Sequence, residues 1–153
     1  LFKNKSKVIG VSIRGTEYAI QKIVKDHYKP FDDVEAIKII KERMNEFGYE
    51  YIYLSTEQQE YYDAFQAEFG DKLIAMDRKR YLQKDVENLE FALEKKFDRK
   101  NDRYFTGLDY IADTEGLLRC NHIIGTLTNA FYYVIIRNFE LNNKLELIDK
   151  GLH

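Results

Sequence analysis

The side chains best suited to chemistry follow runs of aliphatic residues. Arg14 comes directly after the run at residues 8–13, and Thr128 and Asn129 follow a shorter apolar segment around Ile123 and Ile124. The planar guanidinium of an arginine can bind two phosphate oxygens at once. A helix that begins near hydroxyl side chains offers free backbone N–H groups to an anion. These residue types therefore predict a site for a phosphorylated or nucleotide-like ligand.

Other well-known site signatures are absent from the sequence. It contains neither GxGxxG nor GxxxxGK[ST], the common dinucleotide and P-loop fingerprints, and it contains no HExxH, GxSxG or DxD. His27, His122 and His153 do not cluster at ligand spacing, so we predict no protein-bound metal. The single cysteine, Cys120, excludes an internal disulfide and a cysteine-rich zinc site.

Alternating strands and helices would position these side chains. Runs of β-branched and aromatic residues predict strands, whereas apolar residues spaced by three or four predict helices. Asp32 or Asp33 can cap the first helix, and Gly48 and Gly70 are natural helix ends. We predict one α/β domain over residues 1–153, a Rossmann-like open parallel sheet with helices on both faces. The predicted strands are 8–13, 49–54, 72–76 and 121–126, and the predicted helices are 33–47, 58–69, 107–118 and 129–137.

Two segments are harder to assign. Residues 85–97 have apolar side chains at helical spacing, which predicts a short helix, but residues 77–106 could equally form a long loop over a ligand site. The tail, residues 138–153, is amphipathic at best. Ligands of open parallel sheets bind at the carboxyl ends of the strands. We therefore expect the site among residues 14–17, 55–57, 76–78 and 125–129.

Composition limits the classes of protein that fit. The 153 residues are 44% hydrophobic and 33% charged, which excludes a disordered or low-complexity chain. Basic and acidic residues number 24 and 26, so nucleic-acid binding driven by bulk charge is not expected. No apolar run is long enough to span a membrane, and no signal peptide is recognisable, which favours the cytoplasm. Because the chain begins with Leu1 rather than Met, we expect it to be part of a longer protein.

Four segments resemble motifs of the fucosyltransferase superfamily, in the same order. This superfamily includes α-1,6-fucosyltransferases, nodulation fucosyltransferases and protein O-fucosyltransferases. Residues 8–18, VIGVSIRGTEY, resemble G-V-H-x-R-G-T-D, and residues 53–57, YLSTE, resemble F-L-A-T-D. Residues 111–121, IADTEGLLRCN, resemble L-I-D-x-L-L-L-S-x-C-D, and residues 125–131, GTLTNAF, resemble G-x-x-S-N/S-x-F.

The resemblance implies the C-terminal, donor-binding lobe of a GT-B glycosyltransferase. Such an enzyme is inverting and metal-independent, uses GDP-fucose, and builds the cleft for its glycan or polysaccharide acceptor with an N-terminal domain that is missing here. Arg14 would hold the diphosphate and stabilise the departing GDP. The other donor-binding positions implied by the match are Gly15, Asp113 near the nucleoside, Thr128, Asn129 and Ala130 around the phosphates, and Phe131 beneath the nucleotide.

Departures from the motifs support a second hypothesis. Ser12 stands where the family has His, and Glu17 stands where it has Asp. A non-catalytic nucleotide-binding or interaction module with the same fold is therefore the alternative.

The site residues also have purely structural interpretations. Arg14 could form only an ion pair, Thr128 could only cap a helix, and Asp113 could pair with Arg119. The basic residues 78–80 usually indicate a solvated loop, but a loop after the third strand could also close over a nucleotide.

Overall fold

The computed structural model describes residues 2, 5–15, 29, 31–89 and 94–151. In this part of the chain, strands and helices alternate except between the third and fourth strands, where two helices follow each other, and a short 3₁₀ turn lies at Gly70–Lys72. The elements in chain order are β1 Val8–Ser12, α1 Asp33–Phe47, β2 Tyr51–Ser55, α2 Gln59–Phe69, β3 Leu73–Ala75, α3 Gln83–Val86, α4 Asp102–Leu118, β4 His122–Gly125, α5 Asn129–Leu141 and β5 Lys144–Leu147.

The described strands form one sheet of five in the order β3-β2-β1-β4-β5, and every pairing is parallel. β1 is central: its Ile9 lies opposite Ile52 of β2 on one side and His122 of β4 on the other. Parallel neighbours need crossover connections, which the helices between consecutive strands provide. The predicted α/β class with an open parallel sheet is therefore confirmed.

Helices cover both faces of the sheet, as predicted. Alternate side chains of a strand point to opposite faces, and both faces of a parallel sheet are normally buried. On one face, Val11 and Leu54 pack with Ile40 of α1 and Phe65 of α2. The other face has its own apolar cluster, which consists of Val8, Tyr53, Ile74, Leu117, Leu118, Cys120, Ile123, Phe131 and Val134.

The ends of α1 and α2 follow the sequence prediction. Of the two candidate caps, Asp32 is the one used, and its carboxylate accepts a 2.8 Å hydrogen bond from the backbone N–H of Glu35. Gly48 ends α1 with φ at 69°, and Gly70 ends α2 with φ at 51°. Both φ values lie where glycine has no side-chain penalty.

Three predicted elements differ from those observed. The helix predicted over residues 85–97 is wrong: α3 covers only Gln83–Val86, and residues 90–93 lie outside the described residues. α4 begins at Asp102, five residues before the predicted start. The tail contains β5, which the sequence did not predict, and α5 extends to Leu141. Within the described residues, no helix has both the length and the apolar character needed to cross a membrane.

His122 is buried at the start of β4 in a mixed aromatic and charged environment. Its side chain is fully buried, and neither ring nitrogen makes a hydrogen bond within the described residues. Glu146 comes within 3.3 Å of Nε2, while Phe47 and Tyr49 contact the ring. Burial lowers the pKa of His122 below 6.5; nearby Lys144 and Arg43 lower it further, and Glu146 acts in the opposite direction.

We therefore expect the folded protein to lose stability below about pH 6.5, the ordinary histidine pKa. A lowered folded-state pKa means that the contribution of His122 is complete above the unfolded value and is lost as the pH falls through the folded one. Urea unfolding midpoints from pH 7.5 to pH 5 test this in wild type and in His122→Phe. The variant should have the flatter profile; identical slopes would contradict the assignment to His122.

Candidate functional site

The candidate site lies where the strand order reverses, between β1 and β4. The chain adds β2 and β3 on one side of β1, then crosses to place β4 and β5 on the other. Such a reversal opens a crevice at the carboxyl ends of the two central strands, and ligands of open α/β sheets bind there. Arg14 follows β1 and Thr128 follows β4, so the two sequence-predicted residues flank the reversal.

Arg14 and Thr128 line the same small cavity at this edge. It encloses about 20 Å³. A volume of this size admits about one water molecule or one ligand oxygen atom, not a whole nucleotide. The lining residues are Ser12, Ile13, Arg14, Ser55, Glu57, Arg78, Tyr110, Asp113, Thr114 and Thr128.

Arg14 is neither fully exposed nor isolated from other charges. Its side chain is 16% exposed, and its Nε lies 3.6 Å from Oε1 of Glu57. Glu57 follows β2, the neighbouring strand, and its side chain is only 7% exposed. The ion-pair interpretation of Arg14 is therefore correct as geometry, but the pair lies at the cavity rather than on the open surface.

Gly15 lies where neighbouring side chains leave no room for a Cβ atom. Its φ is not positive, in contrast to Gly48 and Gly70. A Cβ built on Gly15 would lie 1.5 Å from Oε1 of Gln58 and 2.9 Å from the ring of Tyr61. The end of β1 therefore packs closely against the start of α2 at Gly15.

Asp113 forms the centre of a buried polar group. Its Oδ2 accepts a 2.5 Å hydrogen bond from Nη1 of Arg78, and its Oδ1 accepts a 3.2 Å bond from the Tyr53 hydroxyl. The exposed fractions of the Arg78 and Asp113 side chains are 2% and 4%. The predicted alternative of a pair between Asp113 and Arg119 is not what forms: the partner is Arg78, which follows β3.

Burial and attraction oppose each other in this ion pair. For Arg78, burial alone would lower the pKa, but the charge and hydrogen bond of Asp113 outweigh it and raise the pKa above its ordinary value. For Asp113, burial outweighs the attraction of Arg78, and the pKa of the carboxyl rises. Burial also raises the pKa of the Tyr53 hydroxyl, which keeps its proton for the bond to Asp113.

The start of α5 also contributes residues to the site. Thr128 occupies the N-cap position, yet its side chain makes no capping hydrogen bond to the helix. Helix capping therefore does not account for the Thr128 hydroxyl. The first backbone N–H groups of α5 donate no hydrogen bond to this side chain. Asn129 and Ala130 form the first turn of α5. Phe131 is fully buried, and its ring occupies the space that a Cβ on Gly125 would take, 2.4 Å from Cε2.

The cavity includes Tyr110 and Thr114 of α4, which the sequence did not assign to the site. It also includes Arg78, for which the sequence allowed both a place at the strand-end site and a place in a solvated basic loop. The Arg78 guanidinium lies 5.1 Å from the centre of the Tyr110 ring, close enough for a cation–π contact.

Glu17 lies outside the described residues. Within the described part of the chain, no three His, Cys, Asp or Glu side chains gather into a possible metal site.

A larger cavity of about 460 Å³ adjoins the small one. Tyr110 lines both. The larger cavity is lined by residues of the first turns of α4 and by Glu94 and Lys95 from the segment between α3 and α4, for which the sequence left open a loop over a ligand site. Its other lining residues are Tyr81, Glu94, Lys95, Asp102, Arg103, Thr106 and Gly107.

No model of a known protein family matches the chain, and no curated protein matches it at a significant level. Any functional assignment must therefore be argued from the motifs and from the arrangement of the site.

Proposed function

We propose that this chain binds the diphosphate of a sugar nucleotide across the reversal between β1 and β4. The observation that supports this most directly is that Arg14 and the N-cap residue of α5, Thr128, line one cavity at that point. A guanidinium and a helix N-terminus on opposite sides of a crevice attract an anionic group from both directions. Because the cavity holds only about 20 Å³, the nucleotide would lie over its mouth and not inside it.

The motif resemblance extends this proposal to a reaction. The chain would be the donor-binding domain of a metal-independent, inverting glycosyltransferase, with GDP-fucose as the donor. Arg14 would stabilise the negative charge that develops on the departing GDP, which is electrostatic catalysis by a fixed cation. The proposal includes a glycan or polysaccharide acceptor, held with the help of a second domain, and a cytoplasmic location.

Calorimetric titration with GDP tests the proposal. We expect wild type to bind GDP, and Arg14→Gln to bind it at least tenfold more weakly, because the substitution removes the charge and the fork of donors. Arg119→Gln is the matched control: Arg119 is exposed at the opposite edge of the sheet, next to the start of β4. Equal binding by wild type and Arg14→Gln, or none by either, would reject the site.

A second candidate is a non-catalytic module that binds a nucleotide or a partner. The observation in its favour is that Arg14 and Arg78 are both paired with carboxylates around a very small cavity. Ser12 in place of histidine agrees with it. The longest form of the protein that its gene encodes should be incubated with GDP-fucose and glycan acceptors. Binding without hydrolysis or transfer would favour this candidate, whereas turnover would exclude it.

A further inference from the structure

Arg78 stands out among the three basic residues that follow β3. The side chain of Arg78 is only 2% exposed and lines the small cavity, while its neighbour Lys79 is exposed. Arg80 turns elsewhere: its guanidinium lies 4.2 Å from the centre of the Tyr62 ring, and its Nη2 donates to the backbone carbonyl of Met76. One cation of the three is therefore directed to the site, and a solvated loop does not explain its burial.

The guanidinium of Arg78 retains hydrogen-bonding capacity. Nη1 donates to Asp113, but Nε is buried and makes no hydrogen bond within the described residues. A buried N–H of a cation that has no acceptor destabilises the protein, because the group has lost its hydrogen bonds to water. Buried polar groups of this kind ordinarily have a partner, in the protein or in a bound molecule. The donor of Arg78 therefore indicates an acceptor that occupies the cavity.

We propose that Arg78 is a second phosphate-binding arginine, and that one phosphoryl oxygen of a nucleoside diphosphate enters the cavity between Arg78 and Arg14. The inference rests on the proposed function and adds to it a residue that the resemblance does not include. The volume of about 20 Å³ fits a single oxygen atom. The hydroxyl residues Ser12, Ser55 and Thr128 also line this space.

Asp113 is a positioning residue in this arrangement. Each of its oxygens already accepts a hydrogen bond, one from Tyr53 and one from Arg78, so the carboxylate fixes where the guanidinium points. Tyr110 supports the same guanidinium through its ring. Asp113 holds one edge of the Arg78 guanidinium and Tyr110 holds its face, so the remaining N–H donors point in one direction. Less conformational entropy is then lost when the guanidinium binds an anion.

The test compares ligands that differ in their phosphates. Dissociation constants for GDP by calorimetry and for guanosine by NMR titration are measured in wild type, in D113N, in R78Q/D113N and in K79Q. The double variant replaces the ion pair with two amides, which can still hydrogen-bond and leave no unpaired buried charge. K79Q removes an equal charge one residue away, where the side chain is exposed.

We expect R78Q/D113N to bind GDP at least tenfold more weakly than D113N and guanosine within about twofold of D113N. D113N is the reference because the resemblance places Asp113 near the nucleoside, so its own substitution can weaken the binding of both ligands. K79Q should leave both constants within about twofold of wild type. GDP binding by R78Q/D113N equal to that of D113N, with Arg14→Gln still impaired, would overturn the role of Arg78 and leave the proposed function intact. An equal further loss for both ligands would show a structural role and would also overturn it. Absence of GDP binding by wild type would reject both proposals.

Arg78→Lys keeps the test decisive if the double variant does not fold. Lysine retains the charge beside Asp113 but lacks the Nε–H and the planar fork. We expect GDP binding to weaken at least threefold while guanosine binding is unchanged. GDP binding equal to that of wild type would assign the cavity to a buried water instead of a phosphoryl oxygen.

Discussion

Replacing Asp113 with alanine is expected to destabilise the fold by about 3–5 kcal/mol, the cost typical of removing one partner from a buried ion pair. The Arg78 side chain is 2% exposed and would keep its charge without the carboxylate that balances it. The Tyr53 hydroxyl would lose its acceptor at the same time. Urea unfolding at neutral pH measures the loss. A loss below about 1 kcal/mol would mean that solvent reaches Arg78 freely.

Two control variants show whether the destabilisation by Asp113→Ala comes from a buried unpaired charge or only from the loss of a contact. Glu115, two residues further along α4, pairs with Arg137 at 3.8 Å, and both side chains are nearly half exposed. Because exposed pairs contribute little, Glu115→Ala should cost less than about 1 kcal/mol. The double variant R78M/D113L removes both charges and should recover most of the stability lost in Asp113→Ala. Failure of this recovery would show that the ion pair itself stabilises the fold.

The expected recovery suggests why the pair is present at all. Burial raises the pKa of Asp113 in spite of Arg78, so the attraction does not fully offset the desolvation of the carboxylate. A well-packed apolar pair would stabilise the core at least as well. If R78M/D113L recovers the stability, the ion pair at the point where the strand order reverses is better explained by what it positions than by the stability it contributes.

The core of the fold was predictable because its determinants are local. β1, β2 and β4 are dense in aliphatic and aromatic residues, which predict buried strands without knowledge of their neighbours. Their parallel pairing then follows from the helices that connect them. β5 was missed because its four residues, KLEL, include two charged side chains and form a strand only by pairing with β4. Such an edge strand owes its conformation to tertiary contacts.

The wrong helix at residues 85–97 has a physical explanation. Val86 and Tyr81 form a small buried cluster, and Leu89 and Phe97 pack against it. The Phe97 and Tyr81 rings are stacked, with their centres 4.7 Å apart. Residues 87–89 and 94–97 are not α-helical, so the apolar spacing reflects this cluster, and periodicity alone cannot distinguish such a cluster from one face of a helix.

The site was only partly predictable, for a related reason. The rule that ligands bind at strand ends identified Arg14 and Thr128 correctly as neighbours of one cavity. It also placed Arg78 at a strand end, but a run of three basic residues usually indicates a solvated loop. Which of the three turns inward depends on Asp113, 35 residues further along the chain. A contact at that separation cannot be inferred from local sequence.

Two glycines of the same helix give the second prediction. Gly116 and Gly107 both lie in α4, but a Cβ on Gly116 would be 2.2 Å from Cζ and the hydroxyl oxygen of Tyr53, whereas a Cβ on Gly107 would meet nothing within 4 Å. Gly116→Ala is therefore expected to destabilise the fold by about 1–3 kcal/mol or more. Gly107→Ala should stabilise it by about 0.5–1 kcal/mol, because alanine is the better helix former.

The size of the Gly116 effect depends on how firmly Tyr53 is held. Its side chain is fully buried on β2, and its hydroxyl is bonded to Asp113, so the ring cannot move aside without breaking that bond. Thermal and urea unfolding of the two alanine variants should give changes of opposite sign. Similar changes would mean that α4 does not lie against Tyr53.

A double-mutant cycle assigns the cost to this contact. In a Tyr53→Leu background the ring is gone, so Gly116→Ala should cost much less than in wild type, and the difference between the two costs measures the clash. The same cycle with Gly107→Ala should be additive, because nothing lies within 4 Å of the added methyl. A coupled Gly116 and an additive Gly107 would establish that α4 is packed on β2 through Tyr53. The packing that brings Asp113 to Arg78 would then be fixed by the absence of a side chain at Gly116.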